Sequence, residues 1–306
     1  MNLIAAINLR TLLISLLLYR QKNNLFVIST SDETIKEKLE HEGYLVFNMK
    51  IISNTCFLDK FIEQYSIQKR FNKFLNEHGL VNRIDNYIGF DHVFTIMKFM
   101  KDDCKYTVLE EGAGNYLPID DVKRIFKQSM LKKLAMLLLG QGKFIDYIPF
   151  GYDNRVREVM LTGICDIPEL LKYKTRLIDL NSLWNIADKS IKIFINELFS
   201  FDPNKYDNKI VVLTQLFDNA NDSMKFSFYD KYVEDTEEYV IKIHPRERDC
   251  YSKKYSRLFV DNNRFPFELI KLNGVMPKKI ITIQSTASKE YEGLCEIEYI
   301  IPDFKF

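Results

Sequence analysis

Glycine and proline are scarce in this 306-residue chain, at 11 and 8 residues. That excludes collagen-like and linker-rich architectures. The five cysteines, Cys56, Cys104, Cys165, Cys250 and Cys295, form no short pair. Without a CxxC there is no zinc knuckle and no thioredoxin-like site. An odd number at wide spacing fits reduced thiols in a reducing compartment. Charge of one sign is also missing. Lys plus Arg is 43 against 42 for Asp plus Glu, a net +1, so a generic nucleic-acid binder is not expected. The chain has no Asp-x-Asp triplet. The longest apolar run near the start, Thr11 to Tyr19, falls short of the roughly 20 residues that span a bilayer. It has no small-residue cleavage site either, so no signal peptide is read there and a cytoplasmic location is expected. What is present is ordinary globular material: 46% hydrophobic and 28% charged residues, enough to build a sizeable core. The length suggests two domains.

Short apolar runs alternate with amphipathic stretches. The segments 3–9, 24–29, 44–49, 86–90 and 106–109 read as strands, and 10–22, 57–75 and 92–100 as helices, with another opened by Ser31-Asp32-Glu33. Gly140, Gly142, Pro149, Gly151, Gly163 and Pro168 crowd the stretch from 139 to 174, which places the domain junction there. A long helix is expected over 181–199. Strands follow at 209–214, 239–243, 258–260, 279–283 and 297–301, with a helix at 224–232. This order predicts an α/β protein of two Rossmann-like, doubly wound domains, 1–160 and 161–306, with parallel sheets and a cleft between them. Ligands in such sheets bind beyond the C-terminal ends of the strands.

Several motifs fall at such strand ends. Val108-Leu109-Glu110-Glu111-Gly112-Ala113-Gly114 runs from a strand into two carboxylates and two glycines. A glutamate there suits a general base, and the glycines let the backbone approach a ligand; a solvated acidic loop is the plain alternative. Tyr239 to Glu247 ends its strand in His244-Pro245, flanked by Lys242 and Arg246. A histidine so placed can donate a proton to a leaving phosphate, with basic neighbours to match; a satisfied surface histidine is the alternative. Val211 to Asp218 is a buried-strand pattern running into Gln215 and Asp218, which makes Asp218 a rival base or a plain loop acid. Ser285 and Thr286 follow a strand as a phosphate site at a helix start, or as a common cap. Glu268, after Phe265-Pro266-Phe267, could hold ribose hydroxyls, or simply face the helix dipole.

The stretch 121–139 carries an apolar stripe of Val122, Ile125, Phe126, Met130, Leu134 and Leu137 beside Lys123, Arg124, Lys127, Lys132 and Lys133. A basic amphipathic helix can lie on an anionic membrane. A helix packed on the core is the commoner arrangement and is the expectation here.

The order of these motifs resembles bacterial sialyltransferases, most of all glycosyltransferase family 52, which includes lipooligosaccharide and capsule sialyltransferases. Glu110-Glu111-Gly112 matches the acidic-acidic-Gly motif, His244-Pro245 the His-Pro motif, Ser285-Thr286 the C-terminal Ser/Thr motif, and Pro266 to Glu268 the ribose-holding segment. Ala6 to Arg10 stands where members often carry a Thr-Pro-Leu-like turn. The resemblance implies a GT-B-like fold and inverting transfer from CMP-sialic acid to a galactose-type sugar of a surface glycan, without cofactor or metal. The site it implies combines Glu111, with Glu110 and Asp218 as alternatives, His244, and donor contacts from Gly112, Gln215, Lys242, Pro245, Glu268, Ser285 and Thr286. The partners implied are a nucleotide-sugar donor and a glycan or glycolipid acceptor; peripheral membrane contact at the inner face of the cytoplasmic membrane and an oligomer are both left open. The alternatives are a transferase of the same fold using another nucleotide sugar, such as a glucosyl donor, and a non-catalytic envelope-assembly protein.

Overall fold

The computed structural model describes residues 1–30, 32–51, 56–217, 221–245, 247–283 and 285–302. The chain forms two compact units, Met1–Ala187 and Asp188–Phe306. In the first, seven strands make one sheet: β1 (Asn2–Ala6), β2 (Leu25–Ile28), β3 (Leu45–Asn48), β4 (Asn86–Gly89), β5 (Lys105–Leu109), β6 (Val156–Leu161) and β7 (Thr175–Leu177). Their spatial order is β3-β2-β1-β4-β5-β6-β7 and every pairing is parallel. The second unit has β8 (Ile210–Leu213), β9 (Tyr239–Lys242), β10 (Phe259–Asp261), β11 (Lys279–Thr282) and β12 (Glu296–Tyr299). They lie in the order β10-β9-β8-β11-β12, again all parallel. Each sheet therefore reverses its winding next to its first strand, between β1 and β4 and between β8 and β11. Ligands of doubly wound sheets bind beyond such points.

The central strands are buried on both faces, which is why they read as unbroken apolar runs rather than alternations. Leu3, Ile4, Ala5, Leu25, Phe26, Val27, Val211, Val212, Val240 and Ile241 are all fully buried. Each Leu, Ile, Val or Phe among them contributes about 1.5–3 kcal/mol. In the first unit Phe47, Phe71, Tyr87 and Val159 complete the core; in the second, Phe228, Tyr229, Tyr251 and Ile281 do. Gly89 ends β4 at φ +116, opposite Ala5, where a Cβ would lie 2.2 Å from the Ala5 carbonyl oxygen. Only glycine lets β4 pack so closely on β1, and the chain leaves that point as Phe90-Asp91-His92.

Four expectations are corrected. The boundary lies at 187/188, not 160/161, because β6 pairs with β5 and β7 with β6 in the first sheet. The Gly/Pro-dense stretch serves turns on that sheet: Gly151, at φ +91, leaves no room for a Cβ, which would sit 2.5 Å from Val159. The long helix over 181–199 is two, Leu180–Asn185 and Lys189–Leu198, broken where Asp188 takes extended backbone as an N-cap. Between 92 and 100 only the single turn Phe94–Met97 is helical. The stretch 121–139 is likewise two helices, Ile119–Ile125 and Met130–Leu138, the second capped by Ser129, whose Oγ accepts from the Lys132 N–H at 3.2 Å. Among the described residues no helix is long and apolar enough to cross a membrane.

Candidate active site

At the end of β5 two adjacent glutamates point to opposite sides, as successive residues on an extended backbone must. Glu110 is fully buried. Arg10 reaches its Oε1 with Nε at 2.9 Å and Nη2 at 2.7 Å. The Tyr116 hydroxyl donates to Oε2 at 2.5 Å, and the Thr162 N–H to the same oxygen at 2.6 Å. With both oxygens matched, Glu110 is an anchor joining the helix Leu9–Leu18, the end of β6 and the loop after β5. Neither oxygen of this alternative base is left without a hydrogen-bond donor.

Glu111 differs. Its backbone is held from both sides: its N–H donates to Asn115 Oδ1 and its carbonyl accepts from Asn8 Nδ2, each at 2.8 Å. Gly112 follows at φ 135 and ψ −150, a conformation that a side chain would oppose. Gly114 passes so close to Phe150 that a Cβ would lie 2.8 Å from the ring. The Glu111 carboxylate is 12% exposed, and His92 Nδ1 lies 3.8 Å from its Oε1. Burial pushes its pKa up to about 7, opposed by His92 and aided by Asp91.

Asp91, buried beside it, accepts from the Phe150 N–H at 2.9 Å and the Gly151 N–H at 2.7 Å. Its Oδ1 is 3.6 Å from His92 Nδ1. Burial alone lowers the His92 pKa, but the two carboxylates outweigh it and hold the ring above its ordinary value. The ring is enclosed by Phe90, Phe126 and Phe150, with centroids 5.4–5.6 Å away. His92 Nδ1 and Asn115 Nδ2 are buried without a hydrogen-bond partner among the described residues. Such groups cost about 1–3 kcal/mol each, and Gln68 and Gln128 carry others elsewhere in the chain. The arrangement can take a proton from a hydroxyl near neutral pH.

The sequence reading passed over Asp91 and His92, though its own criterion of a histidine at a strand end applies to Phe90-Asp91-His92 as it does to His244. The departure at Ala6 to Arg10 also has a role, since Asn8 and Arg10 hold the two glutamates.

The second unit gathers its residues at the ends of β8 and β9. Thr214 Oγ1 donates to Glu247 Oε2 and accepts from the His244 N–H at 2.9 Å. Glu247 also takes the Tyr251 hydroxyl at 3.0 Å and the Lys225 ammonium at 2.9 Å. Its N–H closes the His244-Pro245 turn on the His244 carbonyl at 2.8 Å. The His244 side chain is half-buried and Pro245 is exposed. Gln215 is half-buried, its N–H donating to the Tyr229 hydroxyl at 3.0 Å.

Lys242 departs from expectation. It is buried, its ammonium donates to the Asn263 carbonyl at 2.6 Å, and it lies 4.3 Å from the Phe265 ring centre. Burial lowers its pKa to about 8, and it braces the loop after β10 rather than standing open to a phosphate. Glu268, at the start of the helix Glu268–Leu272, is buried too, so it offers no accessible carboxylate to a ribose. Ser285 caps the short turn Thr286–Tyr291, its Oγ accepting from the Ala287 N–H at 3.3 Å. Asp218 and Arg246 lie outside the described residues.

Residues 4–300 match the family model of glycosyltransferase family 52. A protein of Haemophilus influenzae described as uncharacterized is 27% identical over 245 residues, 76% of this chain and 74% of that one. The solved α/β-galactoside α-2,3-sialyltransferase of Photobacterium phosphoreum has a similar structure, with a TM-score of 0.60 at 13% identity over 99% of this chain and 90% of that one. The GT-B domain of the Photobacterium damselae sialyltransferase gives a TM-score of 0.53 at 12% identity, over 94% and 88%. Likeness at that identity establishes the fold, which is of the GT-B type.

Proposed function

The chain belongs to glycosyltransferase family 52, and on that premise we propose an inverting sialyltransferase. It moves sialic acid from CMP-sialic acid to a terminal galactose-type sugar of a bacterial surface glycan, a lipooligosaccharide or capsule. The observation that carries this reading is Glu111, a carboxylate held beside His92 at the end of β5 with its pKa pushed up to about 7. A base serves a hydroxyl best when it titrates near the working pH.

In this reading the first unit handles the acceptor and the second the nucleotide sugar. The acceptor oxygen bonds to the anomeric carbon as the bond from that carbon to the CMP phosphate oxygen breaks. The acceptor proton goes to Glu111, with Asp218 as the rival. The electron pair left on the phosphate is met by His244, by the Ser285 region and by nearby backbone N–H groups. The turn that carries His244 is held by Thr214 and Glu247, which favours such a role. The donor class draws its support from the two sialyltransferases of similar fold.

No metal is invoked. CMP-sialic acid has a single phosphate, and the sequence has no Asp-x-Asp triplet to hold a divalent ion. EDTA is therefore expected to leave the rate unchanged. Strict dependence on magnesium or manganese would point to a nucleoside-diphosphate sugar instead.

The deciding experiment incubates the protein with CMP-sialic acid and a galactose-terminated acceptor and measures CMP release. Release with a different nucleotide sugar alone would move the donor assignment. No release with any nucleotide sugar across several acceptors would favour a non-catalytic envelope-assembly role.

A further inference from the structure

The helix Met130–Leu138 is inside out for a soluble surface helix. Met136 is buried, and so is Leu139 just beyond its end, while Met130, Leu131, Leu134, Leu137 and Leu138 are all more than half exposed, Met130 at 88% and Leu138 at 71%. At 100° per residue these five side chains share an arc of about 120°. Ile125, at the end of the preceding helix, is exposed as well. Of the stripe expected to pack on the core, Val122 is buried and Phe126 half-buried, while Ile125, Met130, Leu134 and Leu137 face outward.

Charge distinguishes this face from an ordinary sticky patch. Between Asp121 and Asp146 there is no acidic residue, while Lys123, Arg124, Lys127, Lys132, Lys133 and Lys143 all fall there, in a chain whose net charge is only +1. Arg124, Lys133 and Lys143 are ion-paired with Asp121, Asp146 and Asp102, whereas Lys123, Lys127 and Lys132 are exposed. Pairing with a second copy of the chain across a two-fold axis would set these cations against themselves. A surface that is apolar below and anionic above suits both features at once.

We propose that this helix seats the protein on an anionic lipid surface, its apolar arc at the acyl boundary and the surrounding lysines on the headgroups. The seat adjoins the Glu111 cluster of the same unit: Phe126, between the two helices, has its ring 5.6 Å from that of His92. The inference goes beyond the proposed reaction and does not depend on which sugar is transferred.

Flotation of the full chain with vesicles tests it without a transferase readout. The protein should float with equal parts phosphatidylcholine and phosphatidylglycerol, stay behind with phosphatidylcholine alone, and detach as salt is raised. The triple variant Leu134→Ser, Leu137→Ser, Leu138→Ser should lower the vesicle-bound fraction by about tenfold or more with an unchanged melting temperature. Lys127→Glu with Lys132→Glu should do the same. A wild type that does not float, or variants that float equally well, would overturn the proposal. So would sedimentation showing a dimer that the triple variant dissociates, with no vesicle binding, since the face would then join two copies.

Discussion

The ends of β5 and β9 carry the same kind of residues in opposite states. Around Glu247 the donors are matched: Thr214, Tyr251 and Lys225 all reach the carboxylate, and Thr214 ties it to the His244 backbone N–H. Around Glu111, His92 Nδ1 and Asn115 Nδ2 have no hydrogen-bond partner among the described residues, and burial penalises the charged form of the carboxylate. Matched networks hold shape; an unmatched, desolvated ionisable group is kept where it is used. The contrast recurs one residue apart, between Glu110, with both oxygens bonded, and Glu111, with neither hydrogen-bonded among the described residues.

The sharpest way to break this contrast is to neutralise the glutamate that is in use. Glu111→Gln should lower kcat by about 10²- to 10⁴-fold with donor affinity retained, whereas Asp218→Asn should not. The reverse result would transfer the base to Asp218, and two active variants would remove both. Stability should move the other way. The Glu111 pKa is raised in the folded state, so its contribution to stability is complete below the ordinary carboxylate range and is lost as pH rises through about 7. In melts at alkaline pH the Gln variant should therefore be more stable than the wild type, by as much as about 3 kcal/mol.

Removing the matched glutamate should act on the fold instead. Glu110→Ala strands the Arg10 guanidinium in a buried site and should cost about 3–5 kcal/mol in denaturant unfolding. A variant that stays as stable as the wild type but loses turnover would reverse the roles assigned to the two neighbours.

In the second unit, His244→Ala should lower kcat by roughly 10²-fold and leaves the Thr214 bond to the backbone N–H in place. Near wild-type turnover would end the phosphate role, and unfolding would make the ring structural.

The smallest effect is a shift in pH dependence. His92 lowers the Glu111 pKa, so His92→Ala should move the acid limb of the kcat profile to higher pH by about one unit. An unmoved limb would mean that the pair does not interact in the working enzyme.

Much of the architecture was legible because the central parallel strands, buried on both faces, leave unbroken apolar runs, and of the twelve strands among the described residues ten fall on segments read as strands. The two missed, β6 and β7, lie in the Gly/Pro-dense stretch. There Arg157 and Glu158 interrupt β6, and β7 is only three residues long. Turn chemistry beside a sheet edge looks the same as a domain junction in sequence, and that shifted the boundary. At the site, the acidic pair was visible but its division of labour was not. Asn8, Arg10 and Thr162 meet the two glutamates from about fifty to a hundred positions away, as in Arg10 to Glu110, and no local spacing records such meetings.

Taken alone, the sequence determined the alternation of strand and helix, the reach of the apolar core and the placing of carboxylates and a histidine at strand ends. All of these follow from period and local chemistry. Tertiary structure decided which glutamate is satisfied and which is left poised, that Lys242 and Glu268 are buried, and that the leucines of Met130–Leu138 face outward. Burial and hydrogen-bond matching are properties of what packs against a residue, and the packing partners come from distant parts of the chain.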